Sequence, residues 1–254
     1  MVKRYLSFIL ALLLLFIVAI YINRVSPDDN KINQQGKNGT VSDEYPNFGG
    51  PNDVKLELVD EAGENASLAR FRDELLVSVK RKDLVFLKEH INKNIKYSFG
   101  ENDGRKGFLR EWGLDTNPNE SRFWDELREV LTLGGTFNEE KTIFTAPYIF
   151  TEFPEKIDAF QHVAIIDKNV KVYSEPDLDS KIIGKLDYSI VRVLDRNVNS
   201  SNTKGVSNGW LKVENFSGEA GFVLAKYTRS PIDYRASFQN IGGAWEMMFF
   251  VAGD

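Results

Sequence analysis

"NGWLKVENFSGEAGFVLAKY", residues 208–227, sets two short apolar segments around a polar turn. Leu211, Val213 and Val223 alternate with polar neighbours, the period of a half-buried strand. Gly209, Gly218 and Gly221 punctuate the stretch where a small barrel has to bend sharply. Trp210 and Phe222 each follow a glycine. These aromatics either line a ligand site or fill a core, and the neighbouring sequence bears on which.

Upstream the β pattern continues through "HVAIID", "KVYSEP", "KIIGKLD" and "IVRVLDR", so that residues 161–228 read as β throughout. A polar insertion, "NVNSSNTKGVSN" at 197–208, reads as a surface loop. The order of short pieces resembles the bacterial SH3 domain. Val170 and Val172 are followed by Pro176, then Ile182-Ile183-Gly184 with Leu186, then Val191-Arg192-Val193-Leu194. The set closes with Gly209-Trp210-Leu211-Lys212-Val213 and Gly221-Phe222-Val223. Tyr173, Glu175 and Ser189 depart from what is common in that family. The resemblance implies a small barrel without catalytic machinery that recognises cell-wall polymer or peptide in a shallow groove between loops. Alternation sends Ile182, Val191, Val193, Leu211, Val213 and Val223 inward. Tyr173, Glu175, Asp177, Trp210 and Tyr227 are the expected ligand-facing residues. Glu175 and Asp177 would make their loop acidic and favour a cationic or polar partner.

Residues 66–160 read as an α+β domain. Leu68, Phe71, Leu75, Leu76 and Val79 form one helical stripe, and Leu84, Leu87 and Ile91 a second, with the junction near Arg81–Asp83. "NIKYSFG" is a short strand, "DGRKGFLREWGL" a turn and helix, and "NESRFWDELREVLTLGG" a longer helix stopped by its glycines. "KTIFTAPYIFTEFP" reads as strand, with Pro147 marking an edge or bulge. Residues 229–254 read as a β-hairpin turning near Asn240–Gly243. Helices followed by strands, with "GGAWEMMFFVAGD" at the end, resemble an NTF2-like cone fold. In that version the barrel is inserted before the last hairpin; the rival is a free-standing helical domain with barrel and appendage. A cone would offer a pocket at its mouth for a small molecule or an enzymatic reaction, with Tyr97, Trp112, Trp124, Tyr148 and His162 as candidates.

The N-terminus carries "YLSFILALLLLFIVAIYI" behind Lys3 and Arg4, an uncharged run spanning roughly 27 Å as a helix, close to a bilayer's hydrocarbon thickness. No good small-x-small site follows, so residues 1–23 read as an uncleaved membrane anchor with a cytoplasmic N-terminus. The bulk of the chain is then extracytoplasmic, periplasmic in a cell with two membranes. Residues 24–65, polar and rich in Gly, Pro and Asn, read as a flexible tether in which "VKLELVDE" is either a short strand or a nascent helix.

The chain's 254 residues carry a net charge of -5, which gives no support to nucleic-acid binding. Cysteine is absent and the two histidines, His90 and His162, stand alone, so no metal site, catalytic residue or cofactor is expected. No phosphate loop, Gly-x-Ser-x-Gly or His-Glu-x-x-His occurs. The expected partners are the membrane, through the N-terminal helix, and cell-wall polymer or an envelope protein.

Overall fold

The computed structural model describes residues 45–100, 103–196, 198 and 209–253. The expected anchor at 1–23 and the tether from 24 to 44 lie outside these residues. No helix among the described residues is long and apolar enough to cross a membrane.

The first helix, α1 (Ala66–Arg81), starts where Asn65 Oδ1 accepts the Ser67 and Leu68 amides and ends at Lys82, whose backbone is left-handed. Asp83 then caps α2 (Leu84–Glu89) by accepting from Val85 and Phe86. Strand β1 (Ile91–Lys96) leads to α3 (Gly104–Glu111) and α4 (Phe123–Thr132). Strands β2 (Thr136–Phe137) and β3 (Ile143–Ala146) follow, then α5 (Tyr148–Glu152). The strand expected to run through Phe153 therefore stops at Ala146. Pro147 cannot donate to a ladder, and it sits as the N-cap of α5.

Seven strands come next: β4 (His162–Ile165), β5 (Val170–Tyr173), β6 (Ile182–Leu186), β7 (Ile190–Asp195), β8 (Trp210–Glu214), β9 (Ala220–Leu224) and β10 (Thr228–Arg229). The hairpin β11 (Arg235–Ile241) and β12 (Ala244–Val251) ends the described chain. Two sheets result, in the orders β1-β12-β11-β3-β2 and β10-β4-β7-β8-β9-β5-β6. All seven strands of the second sheet lie in the sequence between β3 and β11, neighbours in the first.

In the five-stranded sheet, Phe144, Ala146, Ala236, Phe238, Trp245, Met247 and Phe250 point to one face and meet the apolar stripes of α1, α3 and α4. Phe123 is the hub, with the rings of Phe108, Trp112 and Phe250 centred 5.2–5.4 Å away and set near edge-on. The space enclosed by Leu68, Phe71, Leu75, Leu131, Phe144 and Phe238 is too small to hold a water molecule. The second sheet curls around Val163, Ile165, Val170, Val172, Leu186, Val191, Leu211, Val213 and Val223.

Residues 45–65, expected as the end of a flexible tether, pack instead as a strap. Phe48 is 5% exposed and joins the barrel core, and Leu56 and Ala62 are also buried. The Phe48 amide bonds to the Lys185 carbonyl and the Lys185 amide to that of Pro46, a parallel addition to the edge of β6. Further on, Leu56 N donates to Tyr188 O and Ile190 N to Val54 O, at 2.7 and 2.8 Å. The strap then reaches the other sheet, where Asp60 bridges Gly135 and takes Arg72 at 2.6 and 2.8 Å. Its polar composition hid this, because its partners lie far along the chain and its few apolar residues carry no periodicity.

Leu56, Tyr148, Ile149, Ala164 and Ile190 form a separate apolar cluster joining strap, α5 and barrel. At the far end of the barrel, buried Arg229 donates to Glu129 Oε2 of α4 at 3.0 Å and to the Tyr234 carbonyl at 2.9 Å. Tyr148, fully buried, donates its hydroxyl to the Leu56 carbonyl at 3.1 Å. Burial, and secondarily Tyr188, push its phenol up to about 12. An unfolded tyrosine ionises near pH 10, so this group's contribution is intact below pH 10 and is lost as pH rises through 12. The urea midpoint is expected to fall across that window more in the wild type than in Tyr148→Phe. At neutral pH the variant should lose about 1 kcal/mol, the worth of the hydrogen bond.

Candidate functional site

The glycines of the barrel serve two different ends. Gly218, with φ +82°, forms the β8–β9 turn, closed by Asn215 Oδ1 accepting from Ser217 and Glu219 at 2.9 Å. Asn215 also donates to the Phe48 carbonyl, tying this turn to the strap. Gly184 lies within extended β6, and a Cβ there would lie 2.9 Å from both Phe48 Cβ and the Pro46 carbonyl oxygen. That glycine is the seat of the strap. Ser189, one of the departures from the family pattern, is fully buried; it donates to Asp53 Oδ2 at 3.0 Å and accepts from Lys55 Nζ at 3.1 Å.

On β8, Leu211 and Val213 turn inward as expected, which sends Trp210 to the outer side of the sheet. It is nevertheless only 2% exposed, because Tyr173, Leu224 and partly buried Ile182, Phe222 and Tyr227 cover it. The Tyr173 and Trp210 rings meet edge-on at 5.2 Å. The Trp210 indole N–H has no hydrogen-bond partner among the described residues. Tyr173 itself is 7% exposed, and burial raises its phenol pKa, with smaller contributions from Tyr227 and Tyr45. Trp210 and Tyr173, two of the ligand-facing candidates, form a second, outer core that the alternation of a single strand could not reveal, and of the two Tyr173 also reaches the neighbouring groove.

Beside that outer core lies a groove of about 330 Å³. Its walls are the β4–β5 loop with Asp167, Lys168 and Asn169, the start of β5 with Lys171, Leu178, and the turn after β9 with Lys226 and Tyr227. One edge of Tyr173 forms part of the floor. Lys226 Nζ lies 4.8 Å from the centre of the Tyr227 ring, which is partly buried. Glu175 and Asp177 do not line this groove. Asp177 Oδ1 accepts the Asp179 amide at 2.9 Å and braces its own loop, while Glu175 is exposed to solvent. The groove's charged wall is thus three lysines and one aspartate, opposite in sign to the loop that carries Glu175 and Asp177. Lys168, Lys171 and Lys226 sit on two separate loops and a strand, and only folding brings them together.

These strands and turns settle what the barrel is. Residues 168–229 match the bacterial SH3 domain. Domains of this family are commonly cell-wall binding modules. No curated protein matches the chain. The SH3 match begins after β4 and excludes the strap, yet Val163, Ile165 and Phe48 fill the SH3 core and β4 pairs with β7 and β10.

The second set of candidates does not share a cleft. Tyr97 donates to Asp103 Oδ1 at 2.5 Å, and Asp103 also takes Arg110 at 2.9 Å. Those two hydrogen bonds, Tyr97's first, hold the Asp103 carboxyl down to about 2. Trp112 and Trp124 are buried in the helical core, the latter donating its indole N–H to the Pro118 carbonyl at 2.6 Å. Tyr148 belongs to the strap junction. His162 lies on the barrel, donating Nδ1–H to the Asp158 carbonyl at 2.9 Å and stacked on Phe216 at 5.8 Å. Large aromatics fill the space between helices and sheet, and among the described residues these five line no common mouth there. A cleft in this part of the molecule does exist, on the opposite face of the sheet, and it is lined by none of the five.

Proposed function

We propose that the protein is a membrane-anchored, extracytoplasmic and non-catalytic binding protein whose SH3 barrel docks cell-wall polymer through the lysine-lined groove. The observation that carries this reading is the convergence of Lys168, Lys171 and Lys226 around the edges of Tyr173 and Tyr227. Such a wall suits a polymer offering carboxylates and apolar or sugar faces together: lysines attract the charge and tyrosine edges pack against the rest. We read the helices and five-stranded sheet as an NTF2-like cone whose interior is occupied by its own aromatics, a reading supported by helices confined to one sheet face. It serves as the scaffold that holds the barrel.

Co-sedimentation of the full-length protein with purified cell wall tests the proposal. Exposed lysine–carboxylate contacts are worth about 0.2–1 kcal/mol each. Reversing two of them in Lys171→Glu/Lys226→Glu should therefore weaken binding roughly tenfold. Added salt should weaken the wild type in the same direction. Absence of the wild type from the wall pellet, with capture of an envelope protein instead, would replace the polymer by a protein partner. Sedimentation indifferent to both lysines would remove the groove as the site.

A further inference from the structure

The barrel groove does not stop at Lys226. That residue also lines a second, smaller crevice of about 180 Å³, between the barrel and the last turn of α4. The crevice has the room of one small residue, below the roughly 300–1,000 Å³ of a whole small-molecule site. Half its wall, Glu129, Thr132, Leu133 and Ile166, lies outside the segment that matches the SH3 family.

The state of its polar groups shows what it can still bind. Thr132 Oγ1 donates to the Arg128 carbonyl at 3.0 Å and Thr228 Oγ1 to the Ala225 carbonyl at 2.8 Å, so both hydroxyl protons are engaged within their own segments. Glu129 and buried Arg229 hold each other at 3.0 Å, and Arg229 is tied further to the Tyr234 carbonyl. Lys226 is different. Its ammonium rests on the Tyr227 ring and pairs with no carboxylate among the described residues. The remaining wall is apolar: Leu133, Ile166 and Ala225, each half-buried with a face left open. The crevice thus offers one cation beside a small apolar surface. A free carboxylate next to a small apolar side chain is the chemistry of a peptide C-terminus.

Its position agrees with that. The Arg229–Glu129 pair joins barrel and α4 in the crevice wall, so a chain that follows the groove past Lys226 runs against the helix. A groove closed in this way suits the end of a chain rather than its middle.

We propose that the crevice is the terminal subsite of the groove. It takes the C-terminal residue of a peptide carried by the wall polymer, with the carboxylate on Lys226 and the side chain against Leu133, Ile166 and Ala225. This rests on the groove being the wall-binding site. It adds that the docked unit is a chain end, and that α4, outside the barrel, helps to select it.

Titration of the full-length protein with acetyl-Ala-Ala-Ala, as the free acid and as the C-terminal amide, tests this by saturation-transfer NMR on the peptide. Acetyl-Ala-Ala-Trp supplies a terminal side chain too large for the crevice. The acid should bind about fivefold more tightly than the amide, the most that one exposed lysine–carboxylate contact supplies. The Trp-terminated peptide should bind no better than the amide. Lys226→Gln should remove the difference between acid and amide. Thr132→Trp, which fills the crevice from α4 and leaves the barrel sequence untouched, should bring the acid down to the level of the amide. Both residues are exposed, so both variants should fold. Pelleting with purified cell wall, run alongside, separates the two readings. A wild type that pellets yet treats acid and amide alike, or accepts the Trp-terminated peptide equally, overturns the subsite and leaves the groove standing. So does a Thr132→Trp variant that still prefers the acid. A wild type that does not pellet removes the reading on which the subsite rests.

Discussion

Trp210→Ala is expected to cost about 4 kcal/mol, the range for deleting a fully buried aromatic side chain. The ring is 2% exposed and is the centre of the outer cluster with Tyr173 and Leu224. Removing it leaves a cavity that β8 and β9, paired along their whole length, cannot collapse to fill. Urea unfolding would show this as a lowered midpoint at unchanged slope. Trp210→Phe is the informative partner. It loses packing volume but also deletes an indole N–H that has no described partner, a group costly to bury. Those effects oppose each other, so its loss should be about 1 kcal/mol. Wall sedimentation by Trp210→Phe should match the wild type at temperatures where both are folded. A wall-binding defect in a fully folded Trp210→Phe would mean the indole itself touches ligand.

Phe48→Ala is the second large effect, about 3 kcal/mol, although the residue lies far outside the matched SH3 segment. Its ring is part of the barrel core and its backbone pairs with Lys185. Gly184→Val attacks the same contact from the other side, since its Cβ has no room under the strap. Because the two substitutions share one interface, the double variant should lose clearly less than the sum of the two singles. A barrel fragment of residues 161–229 should for the same reason unfold without a sharp transition. Additive losses, or a fragment as stable as the whole, would show that the strap merely rests on the barrel.

The strands of the barrel were legible in the sequence because their pattern is local. Val191, Leu211, Val213 and Val223 alternate within short segments, and glycines mark the bends. The longer helices were legible for the same reason: Leu68, Phe71, Leu75 and Val79 repeat at helical spacing within α1. Ile182 was placed inside and instead packs against Trp210 on the outer side, since the bulge between Val172 and Tyr173 shifts the register with β6. The strap was not legible, as Asp53, Lys55 and Leu56 find partners at Asp187, Tyr188 and Ser189 that no sequence window contains. The site was legible only in part. Tyr227, singled out in the sequence, lines the groove, but the three lysines beside it sit on separate segments and converge only in the fold.

The strap also has a mechanical meaning. A pull applied at residue 45 meets the Pro46–Lys185 and Phe48–Lys185 bonds before the other described backbone bonds of the strap. They stand in series ahead of the Leu56–Tyr188 and Asp60–Arg72 contacts, and ahead of every strand of the barrel. Tension would therefore strip Phe48 from the core and bare Gly184 before it unravels anything else. Because Phe48 is part of the barrel core, its loss would weaken the barrel behind it, so the segment couples load on the chain to the stability of the module.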